Sequence, residues 1–195
     1  MRFGFVLLLL IWISGNWTIA QHSSDTLRYL TLEEARTQPP ELVYALDLSK
    51  LKLTEIPEEV FQFIHLEGLI LSKNKFSSVP NSISKFTQLK HLYLLKNKLE
   101  EFPDEVFELN NLEILSVARN KIRYLPAKIA VLENLRVLDL WGTRILGFPK
   151  ELAQLENLEE LDVRGITYST KFVESWTNEL PNTLIHFENP CTCLD

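Results

Sequence analysis

The amino-acid sequence predicts an α/β solenoid, in which each of a series of like turns adds one short strand to a parallel sheet. Three observations predict this fold class. The chain repeats itself every 23 residues from Val43 to the C-terminal region. Within each repeat, Leu alternates with polar or variable residues, which is the period of a short strand with one buried face. Only about eight residues follow a repeated Pro before the next strand, so we expect 3₁₀ or single helical turns there rather than long helices.

Composition and charge limit the classes of protein to which this chain could belong. The chain has 195 residues, of which 46% are hydrophobic and 24% are charged, and this composition supports an ordered core rather than disorder. The formal net charge is -6. An acidic total opposes attraction of the whole molecule to nucleic acid or anionic lipid, although a local basic strip can still bind anions. We therefore expect no nucleic-acid partner.

Residues 1–20 have the layout of a cleavable secretory signal. Arg2 gives a positive start, residues 3–13 are apolar apart from Gly4, and Ala20 is the small residue before the expected cut. The apolar run is about half of the roughly 20 residues that a membrane-spanning helix needs. We therefore expect cleavage after Ala20, no stable membrane span afterwards, and a secreted or periplasmic location. The alternative is an uncleaved anchor.

Residues 21–42 are expected to cap the first end of the stack, because the open apolar ends of a solenoid must be covered. Thr31 and Glu34 have the spacing of a capping box. This spacing predicts a short helix that ends before Pro39 and Pro40.

Six repeats fill residues 43–171, and position 1 of each is aliphatic. Their first residues are Val43, Leu66, Leu89, Leu112, Leu135 and Leu158. Position 9 is Asn in the middle repeats, where the chain turns off the strand between apolar positions. A buried amide is tolerated where backbone groups of neighbouring loops satisfy it, so we predict a structural ladder inside the stack. Its members are Asn74, Asn97, Asn120 and, with only a hydroxyl, Thr143.

Residues 172–195 are expected to form a C-terminal cap and a Cys-containing tail. The pattern from Thr170 to Leu180 predicts a helix, and the segment from Leu180 to Phe187 is expected to form a final edge strand. Cys191 and Cys193 lie so close together that a bridge between them would be strained. Pairing with each other, pairing with another chain and a free state all remain open.

Residues 89–99 read L-K-H-L-Y-L-L-K-N-K-L, and the other repeats follow the same L-x-x-L-x-L-x-x-N-x-L pattern with few departures. This pattern resembles the leucine-rich repeat family, in its 23-residue bacterial or typical form with Pro in the descending loop. The resemblance covers residues 43–171 and implies a curved horseshoe with the parallel sheet on its concave face. With residues 1–20 uncleaved, the chain would instead resemble intracellular signalling scaffolds of the same repeat class.

A catalytic site needs convergent polar groups, and the sequence supplies no convincing set. Asp139, Glu160 and Asp162 could cluster on adjacent strands, as would suit a cation, but we interpret them as a solvated acidic end of the sheet. The His residues fall at different structural positions, and they are His22, His65, His91 and His186. We therefore expect a non-enzymatic protein with no catalytic residue, no metal and no cofactor.

Positions 3, 5 and 7 of adjacent repeats should form columns on the exposed concave face, since neighbouring strands lie about 4.8 Å apart. The middle of these columns is apolar and aromatic, which is typical of the core of an interface. We call this set the concave patch and predict that it binds a protein or peptide. The alternatives are that it only covers the sheet against water or meets another copy of the chain. It comprises Ile70, His91, Tyr93, Leu95, Ile114, Val137 and Trp141.

Basic residues recur beside the concave patch at positions 8 and 10 of the repeats. Like charges on every strand repel one another, so they do not serve stability. They could keep the rim of the sheet soluble, steer an acidic partner, or bind an envelope or glycan ligand, which is the second functional hypothesis. We call them the basic strip, and they are Lys50, Lys73, Lys96, Arg119, Lys52, Lys75, Lys98, Lys121 and Arg144.

Overall fold

The computed structural model describes residues 27–166 and 168–188. The expected signal segment, its cut after Ala20, His22, Cys191 and Cys193 lie outside the described residues.

Eight short strands form one parallel sheet in chain order, which confirms the predicted solenoid. Leu46 pairs with Leu69, Leu69 with Leu92, and the same register continues to Leu161. Each repeat position therefore forms a column across the sheet. The strands are β1 (Leu30–Thr31), β2 (Ala45–Asp47), β3 (Gly68–Ile70), β4 (His91–Tyr93), β5 (Ile114–Ser116), β6 (Val137–Asp139), β7 (Glu160–Asp162) and β8 (Leu184–His186).

Short 3₁₀ turns return the chain from one strand to the next, as the Pro spacing predicts. In the first five repeats Pro immediately precedes the turn, where its fixed φ and missing N–H suit the start of a helical segment. The turns span Glu58–Gln62, Asn81–Lys85, Asp104–Glu108, Ala127–Val131 and Lys150–Gln154.

One apolar core runs the length of the stack from Ala35 to Leu180. Its aliphatic columns at positions 1, 4 and 6 are fully or almost fully buried, and Phe63, Phe76 and Phe86 fill the space beneath the turns. Full burial of one such side chain contributes about 1.5–3 kcal/mol. Because each repeat shares its apolar surface with its neighbours, the repeats stabilise one another.

Helix α1 (Leu32–Arg36) begins at the predicted capping box. The hydroxyl of Thr31 accepts a hydrogen bond from the backbone N–H of Glu34 at 3.2 Å, and the Glu34 carboxylate accepts one from the Thr31 N–H at 2.8 Å. Strand β1 just before it was not predicted, because two residues are too few to show an alternation.

Helix α2 (Thr170–Glu179) and strand β8 close the other end, as predicted. Ser169 caps the helix by accepting a hydrogen bond from the Phe172 N–H at 3.3 Å. The ring centre of Phe148, from the last turn, lies 5.1 Å from that of Trp176 in the helix. No helix in the described part of the chain has the length and apolar character to cross a membrane.

The predicted asparagine ladder is present at Asn74, Asn97 and Asn120. The Asn97 side-chain amide donates to the carbonyls of Leu71 and Leu94, both at 3.0 Å, and its carbonyl accepts from the Phe76 N–H at 3.1 Å. Each ladder member thus joins its own turn to the preceding one.

Thr143 was wrongly assigned to this ladder. Its side-chain oxygen is buried and makes no hydrogen bond. A Thr side chain is shorter than Asn and carries one polar atom rather than two, so it cannot reach the carbonyls that the asparagines bind.

A second asparagine ladder was missed by the sequence analysis. Asn111, Asn134 and Asn157 each precede position 1 of a repeat, and each side-chain amide donates to a backbone carbonyl 24 residues earlier at 2.8–2.9 Å. The recurrent Asn before Leu was its signal.

Candidate functional site

Position 3 of the concave face is buried, contrary to the expectation of an exposed column. Val137 is 1% exposed, His91 7% and Ile114 8%. Neighbouring strands about 4.8 Å apart bring these side chains into contact, so each covers the next. These three members of the concave patch therefore support its floor rather than offering surface to a partner.

Tyr29 covers the N-terminal part of the same face. A methyl group added to Gly68 would lie 2.6 Å from the Tyr29 hydroxyl oxygen, so the ring rests directly on that glycine. The hydroxyl oxygen lies 3.4 Å from Nδ1 of His91, and burial raises the pKa of Tyr29. Ala45 and Gly68, the small residues of this column, leave room for the ring.

Four members of the concave patch remain partly exposed. Tyr93 lies between the buried Leu92 and Leu94, so its side chain points away from the core. Ile70 neighbours it on strand β3. The exposed members of the patch are Ile70, Tyr93, Leu95 and Trp141.

Arg119 joins the exposed patch to the basic strip. The central carbon of its guanidinium group lies 5.2 Å from the centre of the Trp141 ring, which is a cation–π contact. The aromatic surface and the positive charge are therefore continuous at this point.

The acidic side chains at the C-terminal end of the sheet are not the solvated cluster that the sequence suggested. Asp139 is buried and accepts hydrogen bonds from the Ser116 hydroxyl at 2.7 Å and the Trp141 N–H at 3.0 Å. Burial is the main reason that the pKa of Asp139 is raised to about 6, and the Ser116 hydrogen bond opposes this shift. Asp162, also buried, pairs with Arg164.

Glu160, the third member, lies 2.9 Å from Nε2 of His186. Each of these carboxylates therefore has a partner within the protein. Within residues 27–166 and 168–188, no group of three or more His, Cys, Asp or Glu side chains could hold a metal ion.

The position-8 residues of the basic strip adopt left-handed backbone conformations. Their φ angles are 64° for Lys50, 59° for Lys73, 57° for Lys96 and 53° for Arg119. The same column continues with Gly142 and Gly165, at φ angles of 62° and 79°. Left-handed geometry favours Gly, whereas a residue with a Cβ is strained there.

The side chains of the basic strip are exposed. Among the described residues, no carboxylate pairs with the position-8 cations, and in the position-10 column Lys121 pairs with Glu100 at 3.1 Å.

At the other end of the strands, just before each strand begins, charged side chains pair with one another. Position 2 alternates in sign, and Lys90 pairs with Glu67 at 2.8 Å while Arg136 pairs with Glu159 at 2.9 Å. An open groove of about 390 Å³ is lined by the second asparagine ladder together with Lys90, Glu113, Arg136 and Glu159. The alternating column comprises Glu67, Lys90, Glu113, Arg136 and Glu159.

Two family models match the chain. A model described as a leucine-rich repeat region matches residues 81–182, and one described as a leucine rich repeat matches residues 41–99. The chain belongs to the leucine-rich repeat family. Membership of this family indicates a protein-interaction module, and leucine-rich repeat proteins are typically non-enzymatic.

Solved structures of leucine-rich repeat proteins have the same fold. A leucine-rich repeat protein of Leptospira interrogans is 27% identical, with a TM-score of 0.58 over 74% of this chain and 42% of that chain. Internalin C2 of Listeria monocytogenes is 21% identical, with a TM-score of 0.62 over 75% and 62% of the two chains. A second Listeria internalin, inlF, is 18% identical, with a TM-score of 0.60 over 75% and 43%.

This leucine-rich repeat chain thus spans less than two thirds of the length of each of these structures. No curated protein sequence matches it.

Proposed function

We propose that this leucine-rich repeat protein is an exported, non-enzymatic module that binds a protein or peptide partner through the exposed part of its concave patch. The observation that supports the proposal is the partial exposure of Tyr93 and Trp141 on the concave side of the sheet. Tyr93 shares a side-chain hydrogen bond with Tyr29 of the N-terminal cap, which accounts for its hydroxyl but not for an exposed ring beside a second one. Aromatic residues are enriched at the centres of interfaces.

The polar groups of this face support a binding role rather than a reaction. Asp139 and Asp162 accept the backbone N–H groups of residues 141 and 164, so they hold the ends of strands β6 and β7. Glu160 and His186 pair with each other. The proposal therefore gives these side chains structural roles and assigns no catalytic residue.

Capture of a partner tests the role of the exposed patch. The Tyr93→Ala/Trp141→Ala variant should lose capture from an extract of the cells that produce the protein, while its circular dichroism spectrum at the capture temperature should match that of the native chain. Tyr124 and Leu146, on the descending loops, are 72% and 74% exposed and provide a matched control pair. Equal loss in the Tyr124→Ala/Leu146→Ala variant, or undiminished capture by the first variant, would contradict concave binding.

Export is supported by residues 1–20, which combine a positive start, a short apolar run and a small residue at the expected cut. The intact mass of the protein from its native source tests this part. A mature chain that begins at Gln21 supports a secreted or periplasmic module. Retention of residues 1–20 would contradict cleavage and favour an uncleaved anchor or the intracellular scaffold.

A further inference from the structure

We propose that the position-8 column of the basic strip binds an acidic polypeptide segment whose apolar side chain contacts the concave patch. This column consists of Lys50, Lys73, Lys96 and Arg119. The inference rests on the proposed function and adds the chemistry of the partner.

The backbone at position 8 is set by the solenoid and not by the basic side chains. The N–H of Lys73 donates to the Leu95 carbonyl at 2.7 Å, and the N–H of Gly142 donates to the Arg164 carbonyl at 2.8 Å. The same bond and the same left-handed φ therefore occur with and without a side chain. Gly would relieve the strain at the basic positions, so the cations there are not explained by backbone stability.

Protection of an open sheet edge does not explain the cations either. Edge strands need charged residues because they present unpaired backbone groups. At position 8 the N–H groups of Lys50, Lys73, Lys96 and Arg119 are already bonded to the next repeat.

The distribution of charge points to an anionic partner. The chain has a net charge of -6, yet positions 7–11 of all six repeats contain no Asp or Glu. Position 2 carries alternating charges that pair within the protein, as Lys90 and Glu67 do. The protein thus neutralises one column of charges and keeps another uniformly basic, and a uniform column attracts a segment of opposite charge.

Contact between the column and the apolar patch favours a polypeptide over an anionic glycan. Arg119 lies over Trp141, and Leu95 directly precedes Lys96. A peptide with both carboxylates and an apolar side chain would use both surfaces at once. A purely anionic polymer would leave the aromatic surface unused.

The inference is tested by screening a random library of twelve-residue peptides against the immobilised full chain. Peptides retained by the native protein should be enriched in Asp and Glu next to an aromatic or aliphatic residue. Replacement of all four position-8 cations by Gly should abolish the acidic enrichment and weaken the binding of a selected peptide by about tenfold or more. Because Gly suits the left-handed φ, this variant should unfold at or above the temperature of the native protein.

A matched variant removes the same charge elsewhere. Lys85, Arg123, Lys150 and Lys171 are exposed and lie outside the basic strip. Their combined replacement by Gln should leave the selected peptides and their affinity unchanged. Equal weakening in this control would show an effect of net charge alone and would overturn the inference.

The library also separates this inference from the proposed function. The Tyr93→Ala/Trp141→Ala variant should retain acidic enrichment and lose apolar enrichment. Apolar enrichment without acidic enrichment on the native protein overturns the inference and leaves the proposed function standing. Heparin tests an anionic glycan as the alternative ligand. If the native protein is retained on heparin at about 0.15 M ionic strength, the Gly variant is not retained, and no acidic peptide is enriched, then the column binds anionic glycans and the peptide inference is overturned.

Discussion

The hydroxyl oxygen of Tyr29 lies 3.4 Å from Nδ1 of His91, although the two residues are 62 positions apart in the chain. Tyr29 belongs to the N-terminal cap, and its ring reaches His91 across Gly68. The cap therefore covers the end of the core and also part of the concave face.

Gly68→Val should displace the Tyr29 ring, because an added Cβ would lie 2.6 Å from its hydroxyl oxygen. We expect a loss of about 1–3 kcal/mol in the free energy of unfolding. In the Tyr29→Ala background the same substitution should cost much less, because the clashing ring is absent. Urea unfolding of the two single variants and the double variant measures this coupling, and additive losses would show that Tyr29 does not occupy the space above Gly68.

Asn97→Ala should lower the free energy of unfolding by about 1–3 kcal/mol. The substitution removes three hydrogen bonds and leaves the Phe76 N–H without its partner, while the carbonyls of Leu71 and Leu94 keep their bonds from Asn74 and Asn120. The exposed Asn178 of helix α2 is a suitable control, and Asn178→Ala should change stability by less than about 0.5 kcal/mol. Chemical denaturation that shows equal effects for both substitutions would remove the structural role of the ladder.

Thr143→Asn should extend the ladder and raise stability. Thr143 has a buried oxygen without a hydrogen-bond partner. Asn120 binds the carbonyls of Leu94 and Val117, and an Asn at position 143 should reach the equivalent carbonyls of Val117 and Leu140. We expect a gain of about 1 kcal/mol in the free energy of unfolding, measured by urea titration. Thr143→Val, which removes the unpaired oxygen without adding an amide, should be nearly neutral. A loss in both variants would contradict an unsatisfied hydroxyl.

Ionisation of Asp139 should lower the free energy of unfolding as the pH rises from about 4 to 6.5. Its pKa in the folded state is about 6 against a reference value of 3.8, so the folded protein binds the proton more tightly than the unfolded chain does. This contribution is fully present below the unfolded pKa and is lost as the pH rises through the folded pKa. At pH 7.5 we expect a loss of about 2–3 kcal/mol relative to pH 3.5 from this group.

Asp139→Asn should remove that part of the pH dependence and stabilise the protein at pH 7.5. The amide oxygen can still accept the Trp141 N–H, and the amide nitrogen can donate to Ser116. Urea unfolding of the native and variant proteins across this pH range gives the difference directly. Parallel pH profiles would exclude Asp139 as the titrating group.

Lys96→Gly should raise stability whereas Lys98→Gly should not, although both remove one exposed lysine from the same strip. Lys96 has a φ of 57°, where Gly is unstrained. The left-handed conformation favours Gly over a residue with a Cβ by about 1–2 kcal/mol. The greater freedom of Gly in the unfolded chain offsets part of this difference, so we expect the free energy of unfolding to rise by about 0.5–1 kcal/mol. Lys98 is not among the residues with positive φ, so Lys98→Gly should destabilise the protein. Equal shifts of the unfolding temperature in the two variants would show that relief of strain is not the cause.

The periodic elements of the fold could be predicted from the sequence because a period of 23 residues determines the register of the strands. Leu46, Leu69 and Leu92 stack where the repeat places them. The capping box at Thr31 and the helix from Thr170 were predictable because their signals are local.

The parts that depend on contacts between distant residues could not be predicted. Tyr29 precedes the first repeat, so no column contains it, and its position over Gly68 follows from the pairing of β1 with β2. Position 3 looked exposed because alternation along a strand says nothing about side chains on neighbouring strands. The left-handed turn at Lys96 was hidden by its side chain, although Gly142 and Gly165 in the same column were a signal.

Photo-cross-linking from the concave patch tests partner binding most directly. A benzophenone amino acid replaces Tyr93 in one protein and Tyr124, which is exposed on a descending loop, in another. Irradiation with extract from the producing cells should yield a discrete adduct from position 93 and none from position 124. An adduct from position 124 alone would contradict a partner bound at the concave patch.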